Sequence, residues 1–528
     1  MRRNFSKLIM TAVIAVLSTV GYAQTNLGES CGCPPVGSRT QVLMSTLAVP
    51  AGDSTTEGNL LASTVLTCDK LYILDKKIWV TPGLTLTIQP GTVIKGREIV
   101  PATNAASLII TRGGKINAQG TQSCPIVFTA EADPMDGTYS VANRKKWGGV
   151  LLLGRATNNI LTAGQPQYVA KGVGFIEGFV SAQSRNLYGA DLLGTLGPVE
   201  TFDDNDNSGI MTYVSIRHGG AVVGANNEIN GLTLGSVGRG TTLRYIEVIS
   251  NEDDGIEFFG GTVDLKYAVS MFCDDDNLDW DQGWNGRVQY FFSLKLAAIG
   301  DNGIEADGDD GSSNDLPLSD PVVYNATFIG SSPLEDSGIE AKERTNGDIF
   351  NSIFSQFAVG YNMYSARATD VEENWNAGTF NVKCNSFIKN TVHFDVNGAA
   401  SPTAADFTKF ITTDKNDTAA SKPGFDPTFA INTVTNAVTD QYDATPNPAL
   451  ATTCTPPADG FFDPAPYRGA FGPGDNWMAG WTYAAFKEMT AILESCAAGC
   501  PEDINRDGVI NNADFLDLLG KFNSVCPK

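Results

Sequence analysis

DDGIE at 253–257, DDNLD at 275–279, DNGIE at 301–305 and DSGIE at 336–340 are one pentapeptide written four times. Each follows a short β-branched and aromatic run with a tyrosine at its centre: LRYIEV (Tyr245), LKYAVS (Tyr267), VQYFFS (Tyr290) and VVYNAT (Tyr324). TYVSIRHGG (Tyr213) and DIFNSIF (Phe350) read as more degenerate copies on either side. From Asp253 to Asp275 is 22 residues, and later copies are spread by insertions such as DGDDGSSNDLPLSD. A period of about 20–25 residues, with two or three short strands each, is the signature of a parallel β-solenoid. One coil cannot bury its apolar row alone. Stacked coils set Ile256, Leu278, Ile304 and Ile339 above one another. The glycine before the isoleucine (Gly255, Gly303, Gly338, with Asn277 in one copy) suits a left-handed corner, and the corner aspartate can accept from nearby backbone N–H groups.

If those apolar residues point inward, Glu257, Asp279, Glu305 and Glu340 point outward in a column. Neighbouring strands lie about 4.8 Å apart. Like charges at that spacing repel by about 3 kcal/mol at an effective dielectric near 20, and by less than about 1 kcal/mol in open water. Such a column is either solvated, bound to a cation, or held at raised pKa. Asp253, Asp275, Asp301 and Asp336 form a second column beside it, thickened by Asp274, Asp276, Asp281, Asp307 and Asp309. Three functions remain open here. The face is solvated, or it is a calcium-binding ridge, or Asp279, Glu305, Glu257 and Glu340 supply a glycosidase or lyase pair at the carboxylate separations glycoside hydrolysis uses. Arg244, Lys266, Arg287 and Lys342 are the nearby candidate bases. Phe258, Phe259, Trp280 and Trp284 lie beside the acids and offer either core packing or a sugar-stacking face.

Upstream, LTLTIQPGTVIKG (84–96), SLIITRGGKINAQGTQSCPIVFTA (107–130) and KWGGVLLLG (146–154) extend the pattern, and YRGAFGPGDNWMAGWT (467–482) follows it. These segments resemble secreted right-handed β-helix proteins of the pectate-lyase-like class, in particular a set from Bacteroidota. The resemblance spans roughly 70–490 and implies fold and export. β-Helix polygalacturonases of that class also carry Gly-His-Gly and Arg-Ile-Lys segments. The nearest counterpart here is RHGG, with Arg217 and His218, which matches poorly.

The C-terminus carries a different signal. DINRDGVINNADFLDLL begins at Asp503. Asp503, Asn505 and Asp507 fall at loop positions 1, 3 and 5, Gly508 at 6, the Val509 carbonyl at 7, Asn511 at 9 and Asp514 at 12, the order in which an EF-hand-type loop wraps calcium. Phe515, Leu518, Leu519 and Phe522 then give one apolar helix face. The unit resembles a single dockerin type I repeat, which implies a cohesin-like or surface partner. Cys500 and Cys526 bracket it, and a disulfide between them would contribute about 3 kcal/mol.

Arg2, Arg3 and Lys7, the apolar run Leu8 to Val20, and Gly21-Tyr22-Ala23 read as an export signal. All ten cysteines lie beyond it and none is spaced as a zinc knuckle, so disulfides are expected. Cys31 and Cys33 are too close to pair with each other. A net charge of −23 argues against a nucleic-acid partner, and two histidines in 528 residues make histidine catalysis a poor prospect.

The expected organisation is a signal segment (1–23), an N-terminal arm (24–69), an all-β, right-handed parallel β-helix (70–400), an irregular insertion (401–466), a capping segment with a helix (467–498) and a calcium module (499–528). The expected function is a secreted or cell-surface, calcium-binding, non-catalytic protein of glycan, matrix or adhesion. The alternatives are a glycoside hydrolase or polysaccharide lyase with a recruitment module, and a self-assembling extracellular subunit. The expected cofactor is Ca2+, the expected partner a polysaccharide or matrix, with no membrane span in the mature chain.

Overall fold

The computed structural model describes residues 27–487, apart from 52–53, 161–167, 177–178, 180–183, 191–200, 225–226, 297–298, 309–315, 332–335, 365–367, 398–401, 419–429, 433–436, 441–453, 473–474 and 476. The expected signal segment, the calcium loop from Asp503 to Asp514 and the Cys500–Cys526 pair lie outside the described residues, as do Asp309 and parts of the 401–466 insertion.

The chain winds into an all-β parallel β-helix. A 16-stranded and a 12-stranded sheet carry the winding. Their pairings are parallel, except where Ala48–Ala51 turns back on Ser54–Leu60 at one end. Winding starts before residue 70. Thr40–Leu43 already pairs in parallel with Lys70–Leu74, so part of the expected arm is the first coil. Disulfides Cys31–Cys124 and Cys33–Cys68 tie the preceding residues to this end, with the two close cysteines pairing apart from each other. Cys384–Cys454 closes a third loop, whereas Cys273 is buried and unpaired among the described residues.

The inward column forms in the expected register. Ile256 pairs with Leu278, Leu278 with Ile304, and Ile304 with Ile339, all fully buried. Aromatic rings continue the interior in file. Phe291, Phe328, Phe354 and Phe387 stack at centroid spacings of 5.2, 5.2 and 5.3 Å. Phe410, from the start of the expected insertion, then packs on Phe387 and Phe394 and plugs this end of the core.

The left-handed corners are not where the glycine pattern placed them. Gly255, Gly303 and Gly338 are absent from the positive-φ residues, which include Tyr213, Tyr245, Tyr267, Tyr290, Asn325 and Asn351. The first five bend one long strand each and Asn351 separates Gly347–Phe350 from Ile353–Ser355, so a coil has three strand segments. The glycines serve close approach instead. A Cβ on Gly255 would meet Ser270 Oγ at 1.9 Å. The tyrosine column is Tyr213, Tyr245, Tyr267 and Tyr290, with ring centroids 4.2, 4.5 and 4.8 Å apart. Such stacking, about 0.5–1.5 kcal/mol a pair, offsets the backbone cost of φ near +60°. Tyr324 falls out of this column. It pairs with Gln289, and Asn325 takes the bend.

The expected capping segment is described as far as Lys487, and that part lies along a side of the β-helix. Trp481 packs edge-on against Tyr213 and Tyr245, and Trp477 against Tyr267. Among the described residues no helix is long and apolar enough to cross a membrane.

Candidate functional site

The acidic column exists. Glu257 pairs with Asp279, Asp279 with Glu305, and Glu305 with Glu340. Thr233 precedes it and Asn362 follows it in register, so the charge is confined to four coils. The side chains leave the core, but this is not a freely solvated face. Glu257 and Asp279 are each only 6% exposed. A cleft of about 420 Å³ lies over the column, lined entirely by acids, among them Glu228, Glu252, Asp253 and Glu305. Glu340 stacks on Glu305 but is outside that lining.

One wall of the cleft is a polar ladder at the coil corner. Asn230 Oδ1 accepts the N–H of Asp254 at 3.2 Å, and Asp254 Oδ1 accepts that of Asp276 at 2.9 Å. Asp276 Oδ1 accepts the N–H of Asn302, and Asn302 Oδ1 that of Ser337 at 3.1 Å. The expected corner capping is thus made by the second residue of each DD or DN pair. The sequence pattern drew attention to the first residue, counted Asp276 only among the acids that thicken the patch, and did not name Asp254. The doublet itself was the available signal.

Carboxylates held this close and this dry resist ionisation. Burial raises the pKa of Asp254, Asp276 and Asp279 well above the usual range, and neighbouring acids add to it, led by Asp279, Glu305 and Glu305 respectively. Burial and then Asp301 push Asp275 up to about 6. Burial pushes Asp336 to about 6 and Glu340 to about 7. Three sets of carboxylates each bring ligand oxygens within 4.8 Å of one another: Asp254, Glu257 and Asp279; Asp253, Asp254 and Asp275; and Asp275, Asp276 and Asp301. Asp279 Oδ1 is buried without a hydrogen-bond partner among the described residues.

Of the four candidate bases, only Lys342 joins the column. Its Nζ lies 2.5 Å from Glu305 Oε1 and 3.8 Å from Asp307 Oδ2. Burial opposes its charge, but Asp307 and Glu305 hold it protonated. Lys266 pairs with Asp463, Arg287 with Asp264 and Asp459, and Arg244 lies over the Tyr267 ring. A lysine the repeat did not mark, Lys295, is buried and donates to the Asp275 carbonyl at 2.9 Å.

The aromatics beside the acids face the core. Phe258, Trp280 and Trp284 are fully buried and Phe259 is 8% exposed, so none presents a face for sugar stacking. Alternation along the strand explains it: Glu257 and Asp279 point out, hence Phe258 and Trp280 point in. Arg217 and His218 are structural. Both are buried, His218 Nδ1 lies 2.7 Å from the Asn143 carbonyl, and desolvation pushes its pKa down to about 4.

Comparison with known proteins bears on the fold. The sequence model described as "Pectate-lyase like beta helix domain" matches residues 58–482. No curated protein matches the chain. Among solved structures, the periplasmic alginate epimerase AlgG aligns at 11% identity and a TM-score of 0.24, covering 67% of this chain and 79% of that one. The family match takes in every coil that carries the DDGIE-type repeat, and the chain belongs to the pectate-lyase-like β-helix family.

Proposed function

We propose that this chain is a secreted or cell-surface β-helix protein that binds polysaccharide at the acidic cleft, with Ca2+ as cofactor. One observation carries the reading: Asp254, Glu257 and Asp279 form a set of three carboxylates at the cleft, all buried, and Asp279 Oδ1 has no hydrogen-bond partner among the described residues. A hard divalent cation takes six to eight oxygens, so a protein triad leaves positions for sugar hydroxyl or carboxylate groups. Without a cation the cleft would repel an anionic glycan. The disulfides at the N-terminal end suit an oxidising compartment. The loop from Asp503 to Asp514 is, on this reading, a second calcium site that presents the protein to a cohesin-like or surface partner.

A catalytic reading has one specific support. Glu340, raised to about 7, stacks on Glu305, which Lys342 holds, giving a protonated and an ion-paired carboxyl on adjacent coils. A polysaccharide panel that includes uronate polymers, run in millimolar calcium or in chelator, separates the two. Calcium-dependent retention without new reducing ends or unsaturated products supports binding. Cleavage lost in Asp279→Asn or Glu305→Gln establishes an enzyme. Neither retention nor cleavage on any polymer overturns both.

A further inference from the structure

The two ends of the β-helix are closed differently. At the far end Phe410 is fully buried and plugs the core. At the N-terminal end one inward column runs Val42, Tyr72, Ile94, Phe128. Tyr72, Ile94 and Phe128 are 3%, 1% and 0% exposed, but Val42, in the first coil, is only half-buried. Leu47 and Ala48 likewise pack on the core and stay half-buried. Around the same coil Leu43, Val49, Leu61 and Val65 are 38%, 42%, 61% and 54% exposed. Among the described residues Thr40–Leu43, Ala48–Ala51 and Thr64–Leu66 are each paired on one side only.

An exposed sheet edge is normally blunted with charge or proline. From Thr40 to Leu66 the only charged residues are Asp53 and Glu57, Glu57 is taken by Arg185, and Pro50 is the one proline. In a chain of net charge −23, an uncharged apolar rim has the composition of a covered surface. The late segment leads towards it, running against the winding. Gly469 donates its N–H to the Asn351 carbonyl at 2.7 Å, Trp477 packs on Tyr267, Trp481 on Tyr245 and Tyr213, and Lys487 Nζ donates to the Gly137 carbonyl at 3.2 Å. Each contact lies nearer the N-terminal end than the last. Gly137 follows Ile126–Ala130, and beyond that strand the path holds only Val93–Gly96, Lys70–Leu74 and Thr40–Leu43. Three strand spacings come to about 14 Å, which about five extended or about ten helical residues cover. Residues 488–528 supply that length and the apolar side chains Ile492 and Leu493, then Phe515, Leu518, Leu519 and Phe522. The expected signal leaves only residues 24–26 ahead of Leu27 for the same role.

We propose that residues 488–528 fold back over the N-terminal end of the β-helix and cap its first coil. The apolar face of Phe515, Leu518, Leu519 and Phe522 covers the rim of Leu43, Val49, Leu61 and Val65 and closes the core over Val42. The tether favours this occupant over a second copy of the chain, because a segment fixed at Lys487 meets the rim at roughly millimolar effective concentration. The cap does not depend on what the acidic cleft binds.

The test is hydrogen exchange read by mass spectrometry, with sedimentation velocity, in millimolar calcium. It compares the full-length chain with Leu61→Asp and with the double variant Leu518→Asp, Leu519→Asp. Leu61 is 61% exposed on its own coil, so its substitution leaves that coil folded and the C-terminal segment unaltered. The wild type should sediment as a monomer. Its amides in 40–51 and 60–66 should exchange at least tenfold more slowly than in either variant, while those of Phe380–Lys383 and Asp395–Asn397 at the far end stay unchanged. Equal exchange in all three proteins overturns the cap. Loss of protection in one variant without the other overturns the contact between the two surfaces. A wild-type dimer that Leu61→Asp separates and the double variant does not gives the rim to a second copy, and overturns the proposal as well.

Discussion

Glu247 Oε2 accepts the backbone N–H of Tyr483 at 2.9 Å across 236 residues of sequence. Its Oε1 accepts from Ala484, Ser215 donates its hydroxyl to Oε2 at 2.5 Å, and Arg217 Nη2 lies 3.9 Å away. The Arg217 guanidinium also lies over the Tyr483 ring. One fully buried carboxylate thereby clamps the late tryptophan-rich segment to the side of the coil stack. Glu247→Ala should lower stability by about 3–5 kcal/mol, because a buried guanidinium loses its counter-ion and two N–H groups lose their acceptor. Thermal unfolding measures the loss, and limited proteolysis should cut first within 467–487. An unchanged melting temperature would rule out the clamp.

The two acidic columns predict a pH dependence with a definite sign. Asp275 and Asp336 are raised to about 6 and Glu340 to about 7, against unfolded values near 4. Between those limits the folded state holds more protons than the unfolded one. Stability of the metal-free protein should therefore be greatest below about pH 4 as far as these groups decide it, and should fall as pH rises to about 7. Calcium should reverse the fall, and its stabilising increment should grow with pH over the same window. Denaturant titrations at pH 4.5 and 7.5, in chelator and in calcium, test this. A calcium increment independent of pH would count against cation binding at Asp275 and the carboxylates grouped with it.

Much of the fold was legible because a solenoid repeats its instructions. The four pentapeptides gave the register of Ile256, Leu278, Ile304 and Ile339, and with it the column from Glu257 to Glu340. The bends were not legible, because tyrosine is a poor advertisement for φ near +60°. Four such rings stack there and offset the strain, which is a property of the assembled coils. The site was half legible. Acidity was plain, but burial was not, since the walls that dry Asp254 and Asp279 come from other coils. Nor could a linear pattern separate Asp253 from Asp254, although only the latter joins the ladder.

The aromatic residues beside the acids give a third prediction. Trp280 is fully buried, and its Nε1 donates to Thr345 Oγ1 at 3.3 Å. Trp280→Ala should cost about 3–5 kcal/mol through the cavity it leaves. Glycan retention, normalised to folded protein, should not change. A selective loss of retention at full stability would restore the sugar-stacking role that its burial excludes.

The N-terminal disulfides should hold the first coils in place. Cys31–Cys124 spans 93 residues of sequence. In the chain-entropy model a loop of that length contributes about 4–5 kcal/mol. The Cys31→Ser, Cys124→Ser double variant should melt earlier, with hydrogen exchange rising first in the strands from Thr40 to Ala130. Uniform exchange along the chain would show that this bond does not stabilise one end selectively.

The ladder also permits a gain-of-function test. Asn302 is 1% exposed, its Oδ1 accepts the N–H of Ser337, and its Nδ2 has no hydrogen-bond partner among the described residues. Asn302→Asp keeps the acceptor and loses no bond, but adds a third buried carboxylate in line with Asp254 and Asp276. In chelator the variant should be less stable by about 2 kcal/mol, since a charge is buried without a counter-charge. In calcium it should recover that loss and bind one further equivalent, because Asp301 and Glu340 stand on the adjoining columns. Equal destabilisation with and without calcium would mean that an aspartate rung is only a cost. It would then leave the presence of Asp254 and Asp276 unexplained by cation binding.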